Sequence, residues 1–252
     1  KTLSAQQEDI LGSWVLAKQP RCLSVLLNEL VSFGQYDALY EYMSGYCRLN
    51  EVEQFYDSVL RRLSADYGFE EIGRTLLMLS LTLEGFTEDE VKSMAGINQM
   101  LWSQLKVEMS SWLTNKGGRY CICDTQMVEA IKRCFAQGDM CIDKCRHKII
   151  TSLLDNEDIL SHQLTFADYS YRMKQFCYHD SYRYKVEITY QGYKMQERNF
   201  LRKWICDVEL FEILYRTNYS LLEDCWKALM SDDSSFMPDV YAESDFGQVD
   251  SF

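Results

Sequence analysis

The residues with the richest chemistry in this sequence are cysteines and a histidine in its middle third. They are Cys121, Cys123, Cys134, Cys141, Cys145 and His147. Structural zinc is held by converging nitrogen and sulfur ligands, usually with about two to four residues between paired cysteines. Side chains at 121 and 123 would share one face of a strand, and those at 141 and 145 one face of a helix. A zinc-stabilised adaptor is therefore an alternative, but cysteine is commonly a core residue, and we favour reduced core thiols without a metal site.

Catalytic groups are harder to find. Nucleophilic catalysis needs a Cys or Ser with a His and an orienting acid. The histidines of the sequence are His147, His162 and His179. No nucleophile motif flanks any of them, and carboxylate pairs such as Glu70-Glu71 fall at predicted helix starts, where they complement the helix dipole. The phosphate-binding motif G-x-x-x-x-G-K-[ST] does not occur. We therefore expect no catalytic residues and no enzyme activity in this chain by itself.

The stretch from Glu70 to Phe135 surrounds the first cysteines and has the element order of a winged helix-turn-helix. Its first helix is apolar nearly all round, so we expect it to be buried and to end at Gly85. Thr87 followed by Glu90 is a capping box that predicts the start of a second helix.

A third helix and a β-hairpin complete the predicted winged helix. The third helix is predicted from Gln99 to Leu113 by its apolar spacing. Asn115-Lys116-Gly117-Gly118 has the composition of a hairpin turn, which predicts a short wing. Its strands would be Ser111-Trp112-Leu113 and Tyr120-Cys121-Ile122-Cys123.

The flanking regions are predicted to be helical as well. In the N-terminal region one helix is predicted from Gln7 to Gln19, and Pro20 can open the next helix as its first residue. The helix after Pro20 would run from Arg21 to Phe33, bury Leu23, Leu26, Leu27 and Leu30, and end before Gly34. A further amphipathic helix is predicted from Val52 to Tyr67, followed by Gly68. Near the C-terminus, the lengths of the predicted helices are typical of paired helices in α-solenoid repeats. The predicted fold class is mainly α: a helical bundle, a winged helix with a small β-hairpin, then solenoid-like pairs.

Four domains follow from this pattern. They are a helical bundle at 1–69, a winged helix domain at 70–155, a repeat-like helical region at 156–230 and an acidic extended tail at 231–252. Only two prolines and 47% hydrophobic residues indicate a packed protein. No apolar run reaches membrane-spanning length, so we expect no membrane contact. The cysteines, interpreted as reduced core thiols, indicate an intracellular, most simply cytoplasmic, protein. The start at Lys1 suggests a piece of a longer protein.

Charge argues against nucleic acid as a partner. The net charge of the chain is −12, and the tail after Met230 carries six acidic residues and no Lys or Arg. An acidic chain repels phosphates at long range. The third helix and wing offer few cations, chiefly Lys106, Lys116 and Arg119. A free-standing winged-helix protein that binds nucleic acid is therefore the alternative, not the favoured function.

Several segments of the sequence resemble one family of proteins. Gln19 to Leu30 with Phe33-Gly34, and later Asp66-Tyr67-Gly68, look like the segment after the nucleotide-binding core of NACHT-type STAND ATPases of the nephrocystin kind. A winged helix follows in the place expected for that family. Leu201 to Trp226 resembles the linker that leads into tetratricopeptide-like repeats in those proteins. The resemblance implies a regulatory and assembly portion of a signalling ATPase, which couples nucleotide state to a protein-interaction scaffold, and whose P-loop half is absent here.

The resemblance also implies nucleotide-facing positions. Pro20 matches the family's proline near the adenine. In the winged helix, Asp124 or Thr125 stands where the family has a His that contacts the β-phosphate of ADP. A carboxylate there would repel phosphate, and either residue is also explained as the N-cap of the next helix. ATP or ADP would then bind only together with the missing core, and the expected partners are that core, other proteins and copies of the chain.

Overall fold

The fold, taken from a computed structural model that describes residues 3–154 and 180–230, is mainly helical with one two-stranded antiparallel sheet. This confirms the predicted fold class. The chain divides by its contacts into two units, 1–145 and 146–252. The finer division into four domains stays a prediction. The elements predicted for 156–179 and for the tail at 231–252 lie outside the described residues.

The N-terminal part of the first unit consists of four helices and a short 3₁₀ turn. They are α1 (Ala5–Ser13), the 3₁₀ turn (Val15–Lys18), α2 (Pro20–Phe33), α3 (Leu39–Cys47) and α4 (Val52–Tyr67). The prediction of one helix through Gln19 was wrong, because Trp14 is extended and ends α1. Its buried indole N–H donates to the carbonyl of Leu49 at 2.8 Å, which fixes that break.

Helix α2 starts at Pro20 and ends at Gly34 in the left-handed conformation, as predicted. Its buried face, however, is rotated from the prediction. The buried residues are Cys22, Val25, Leu26 and Glu29, whereas the side chain of Leu27 is 43% exposed. The positions of the leucines predict a different buried face, because one core position of this helix is occupied by the carboxylate of Glu29.

The winged helix follows in the same unit. Its elements are α5 (Phe69–Leu81), α6 (Glu88–Ala95), α7 (Gln99–Glu108), β1 (Leu113–Lys116), β2 (Arg119–Ile122) and α8 (Thr125–Phe135). Helix α5 is buried as predicted and contacts α4, α6, α8 and β2. The Thr87–Glu90 capping box is present. Gly85 does not end α5, which stops at Leu81; its φ of +92° and a Cβ position only 3.0 Å from the carbonyl of Tyr120 make glycine necessary there.

The wing is shifted from its predicted position. Helix α7 ends at Glu108, and the backbone N–H of Leu113 bonds to the carbonyl of Met109 at 2.7 Å. Trp112 is therefore buried within a turn and not in a strand. In the hairpin, Leu113 pairs with Ile122, and Gly117 and Gly118 both have positive φ, as a two-residue turn of type I′ requires.

The second unit is built from helices. They are α9 (Ile142–Leu154), which crosses the division between the units, α10 (Asp180–Lys194), α11 (Arg198–Ile205), α12 (Val208–Thr217) and α13 (Tyr219–Met230). Helices α10 and α11 contact each other, as do α12 and α13, and each pair also contacts the other. Their shared core includes Ile188, Leu201, Leu210 and Cys225, which is the paired arrangement predicted for a repeat-like region.

Candidate functional site

A buried ion pair lies between α2 and α4. Glu29 is 1% exposed, although it stands on the core stripe of α2. Arg62 of α4 holds its carboxylate in a bidentate manner, with Nη2–Oε1 at 2.6 Å and Nε–Oε2 at 2.9 Å. Planar guanidinium–carboxylate pairs of this kind are the strong ones among charged hydrogen bonds. The charge of Glu29 is therefore compensated inside the bundle.

The same arginine reaches the winged helix. Its Nη2 donates to Oε2 of Glu108, the last residue of α7, at 2.8 Å. Its Nη1 donates to Asp66 at 3.1 Å. Burial opposes the charge of Arg62, but its hydrogen bonds to Glu29 and Glu108 prevail and raise its pKa. One guanidinium thus ties α2 and α4 to the end of the third winged-helix helix.

Two tyrosines of α3 also hydrogen-bond to Glu29. The hydroxyls of Tyr42 and Tyr46 donate to Oε2 of Glu29 at 3.2 and 3.0 Å. Burial raises the pKa of Tyr42 to about 12, and burial together with the charge of Glu29 raises that of Tyr46 further. Both phenols therefore stay protonated donors at neutral pH. We call Glu29, Tyr42, Tyr46, Arg62 and Glu108 the junction cluster.

The sequence contained a signal for this cluster that apolar spacing alone did not reveal. Cys22, Val25, Leu26 and Glu29 follow helical spacing, so a carboxylate falls on an otherwise apolar stripe. A buried carboxylate requires a cation or several donors. Which of the many arginines supplies the charge, however, depends on tertiary structure.

The predicted nucleotide-facing residues lie at two neighbouring helix starts. Pro20 is the exposed first residue of α2. Asp124 is the N-cap of α8, where its Oδ1 accepts from the backbone N–H groups of Gln126 and Met127. Nη1 of Arg21, the residue after Pro20, lies 3.1 Å from Oδ2 of Asp124. Thr125 is exposed at the first position of α8. The structure therefore brings the first turn of α2 to the cap of α8.

Buried polar groups lie behind this contact. The Cys22 thiol is fully buried, and its pKa is raised by burial. The pKa of Tyr56 is raised by burial and by the nearby Cys22 and Asp124. Arg21 itself is largely exposed, with 73% of its side chain accessible. The arrangement leaves the arginine on the surface and its carboxylate partner held by the helix cap.

The cysteines and the histidine considered above as alternative zinc ligands are not gathered into one site within 3–154 and 180–230. In this part of the chain no group of three or more His, Cys, Asp or Glu side chains could hold a metal ion. Cys134 donates to Asp57 at 3.6 Å, and Cys145 donates to the carbonyl of Met140 at 3.7 Å. His147 lies 3.6 Å from Glu197 and is largely exposed. His162 and His179 lie outside the described residues.

The winged helix has little free positive charge where DNA would bind. Lys106 forms an ion pair with Glu88 on α6, which lowers the pKa of that carboxyl. Arg119 of the wing pairs with Glu84 at 3.1 Å. In α7, Trp102 and Leu105 are buried. Two of the three candidate phosphate contacts are therefore already neutralised by acidic neighbours.

Comparison with known proteins gives a limited result. No family model matches the chain, and no solved structure matches it. A TPR repeat-containing protein of Dictyostelium discoideum is 22% identical over 236 residues. That similarity covers 91% of this chain, and so includes parts of both units, but the chain spans only 13% of the relative's length. In the described residues no helix is long and apolar enough to cross a membrane.

Proposed function

We propose that this chain is the regulatory and assembly portion of a NACHT-type signalling ATPase, which transmits nucleotide state to a protein-interaction scaffold. The observation that carries the proposal is the junction cluster. It joins the bundle to the end of α7 through Arg62, which hydrogen-bonds to both Glu29 and Glu108. A displacement of the bundle would therefore be passed to the winged helix as a rigid movement.

The nucleotide core would dock at the start of α2. Pro20 and Asp124 belong to helix starts that are connected by the Arg21–Asp124 ion pair. Two helix N-termini and an exposed guanidinium favour an anion in front of them. Asp124 already caps α8 and would repel phosphate, whereas the Arg21 side chain is 73% exposed and could leave Asp124 to supply the attraction for phosphate. ATP or ADP would be held by the missing core, with this face closing over it.

The C-terminal helices would provide the scaffold. Helices α12 and α13 carry an exposed aromatic run in which Phe211, Tyr215 and Tyr219 contact one another in sequence. Exposed aromatic side chains are enriched at protein–protein interfaces. The relative's description as a TPR repeat-containing protein supports this assignment of the helical pairs. The partners would be other proteins, including further copies of the chain.

Three measurements test the proposal. The coding sequence upstream of Lys1 should contain a phosphate-binding loop, and its absence would contradict the assignment. In the full-length protein, Arg21→Glu should weaken ADP binding about tenfold, because it replaces attraction with repulsion. Arg61→Glu, an equal charge change at an exposed position of α4, is the control and should leave ADP binding unchanged. Micromolar binding of ATP or ADP by the present chain alone would also count against the proposal.

The nucleic-acid alternative has its own test. It requires duplex DNA binding that weakens with salt and falls when Lys106, Lys116 and Arg119 are changed to Ala. We expect no such binding, since Lys106 and Arg119 are engaged with Glu88 and Glu84. Submicromolar, salt-dependent binding in a fluorescence anisotropy titration would replace the ATPase proposal with this one.

A further inference from the structure

Two cysteine sulfurs meet at the end of the wing. Cys121 lies in β2, and Cys123 follows that strand by one residue. Their Sγ atoms are 3.4 Å apart. The Cys121 side chain is buried, whereas Cys123 is exposed. We propose that Cys121 and Cys123 form a reversible intramolecular disulfide, which makes the end of β2 a redox modification site. The proposal does not rest on the ATPase assignment.

The geometry permits the bond with a small local contraction. Residues two apart in an extended strand have Cα atoms about 6.6 Å apart. That span falls near the upper end of the disulfide range, which is about 4.4 to 6.8 Å. The chain must therefore tighten around Ile122 when the sulfurs bond. A bond that keeps some strain is easily reduced by thiols, which suits a reversible modification.

Exposure divides the chemical roles between the two thiols. The accessible Cys123 thiolate attacks a small-molecule disulfide such as oxidised glutathione, forming a mixed disulfide and releasing one glutathione thiolate. The Cys121 sulfur then attacks the Cys123 sulfur, forming the Cys121–Cys123 bond and releasing the second glutathione. The two protein thiols lose two electrons and two protons, and the glutathione disulfide becomes two glutathione thiols.

The surroundings of Cys121 are consistent with a resolving thiol. Burial raises its pKa to about 11, with a further contribution from Cys123, whereas Lys116 and Arg119 act in the opposite direction. The buried Cys121 thiol is therefore protonated at neutral pH, and in the resolving step it gives its proton to the glutathione thiolate released in the first step. Other cysteines of this unit have different neighbours: Cys134 donates to Asp57 and Cys145 to a backbone carbonyl.

Formation of the Cys121–Cys123 disulfide should alter the start of helix α8. Asp124 follows Cys123 directly and caps α8 through the N–H groups of Gln126 and Met127. A contraction at Ile122 displaces the backbone that holds this carboxylate. The oxidised protein should therefore have a weaker cap and a looser first turn of α8.

Mass spectrometry of the whole chain tests the proposal directly. The protein is treated with oxidised glutathione, alkylated with N-ethylmaleimide and cut with trypsin. Cleavage after Arg119 and Lys132 releases one peptide that holds both thiols and no other cysteine. We expect this peptide to lose two hydrogens and to escape alkylation, and dithiothreitol to reverse both effects. In Cys121→Ser, a glutathione adduct should accumulate at Cys123 because nothing resolves it.

Controls separate this pair from general oxidation. Cys47→Ser, at a half-buried thiol of α3, should leave the modification unchanged. If Cys121→Ser fails to fold, as judged by circular dichroism, Cys121→Ala takes its place. A wild-type protein that keeps both thiols alkylatable, accumulates the adduct at Cys123, or joins Cys123 to a different cysteine would overturn the proposal. Hydrogen exchange of Gln126 and Met127 should become several-fold faster on oxidation, and unchanged exchange would overturn the link to α8.

Discussion

Arg62 of α4 and Glu29 of α2 share two hydrogen bonds in the interior of the first unit, at 2.6 and 2.9 Å. The guanidinium also contacts Glu108 and Asp66, so one cation serves three carboxylates. Such a pair adds less stability than its short distances suggest, because both charges leave water. These hydrogen bonds connect α2, α4 and the end of α7 through one side chain.

Loss of the arginine should be costly. Arg62→Met removes the cation and leaves Glu29 buried with only the two tyrosine hydroxyls as donors. Breaking a buried pair from one side costs about 3 to 5 kcal/mol. Since Arg62 is 19% exposed, we expect the free energy of unfolding to fall by about 3 kcal/mol. Urea unfolding monitored by circular dichroism measures this loss.

Arg61→Met is the matched control for that variant. Arg61 precedes Arg62 on α4 but is exposed. Exposed substitutions of this kind change stability by about 0.5 kcal/mol or less. Equal losses in the two variants would show that the junction cluster has no special role.

The junction cluster also predicts a loss of stability in alkaline solution. An unperturbed tyrosine has a pKa of about 10. In the folded protein the pKa of Tyr42 is raised to about 12, mainly by burial, and that of Tyr46 is raised as well. The unfolded chain therefore loses these protons first, so folding stability should fall as the pH rises from about 10 to 12.

Paired variants isolate this effect from other titrations. Tyr46→Phe should flatten the decline of the urea midpoint above pH 10, although it lowers stability at pH 8 by removing a hydrogen bond to Glu29. Tyr40→Phe, at an exposed position of the same helix, should keep the wild-type slope. Identical slopes in all three proteins would contradict the assignment to the cluster.

Two substitutions of Asp124 distinguish its role as the cap of α8 from its ion pair with Arg21. Asp124→Ala removes the acceptor for two backbone N–H groups and should cost about 1 kcal/mol in urea unfolding. Asp124→Asn keeps a capping oxygen and loses only the charge opposite Arg21. Because Arg21 is 73% exposed, that variant should cost about 0.5 kcal/mol or less.

Thr125→Ala provides the comparison at the neighbouring residue. Thr125 is exposed and already lies inside the helix, so its loss should be close to neutral. If Thr125→Ala proved more damaging than Asp124→Ala, the capping role would belong to the threonine.

Local patterns predicted much of this fold, and the misses have physical causes. Val52 to Tyr67 was predicted with correct ends because its apolar spacing and the following Gly68 agree. The first strand of the wing begins two residues later than predicted, because Trp112 is buried in a turn after α7 and is not a strand residue. Gly85 was assigned to a helix end, but the approach of the Tyr120 backbone requires it. Contacts between distant segments leave no local periodicity in a sequence.

The same limit applies to the candidate site. Pro20 and Asp124 could be predicted as helix starts, since proline and aspartate favour those positions. Their proximity depends on how α2 and α8 pack, and became visible only through the Arg21–Asp124 contact. The spacing of the leucines alone does not predict that Glu29 lies on the buried face of α2.

We expect substitution by alanine to have opposite effects on stability at two glycines within helices. Gly73 lies in α5, where a Cβ would be 2.9 Å from both Met140 Sδ and Phe135 Cδ1. Gly45 lies in α3, and a Cβ there would meet no atom within 4 Å. Alanine favours a helix over glycine by about 1 kcal/mol in each case. At Gly73, however, overpacking against the side chains of Phe135 and Met140 should cost about 1 to 3 kcal/mol. We therefore expect Gly45→Ala to raise the urea midpoint and Gly73→Ala to lower it. A stabilising Gly73→Ala would mean that α5 and Phe135 are less closely packed than the structure shows.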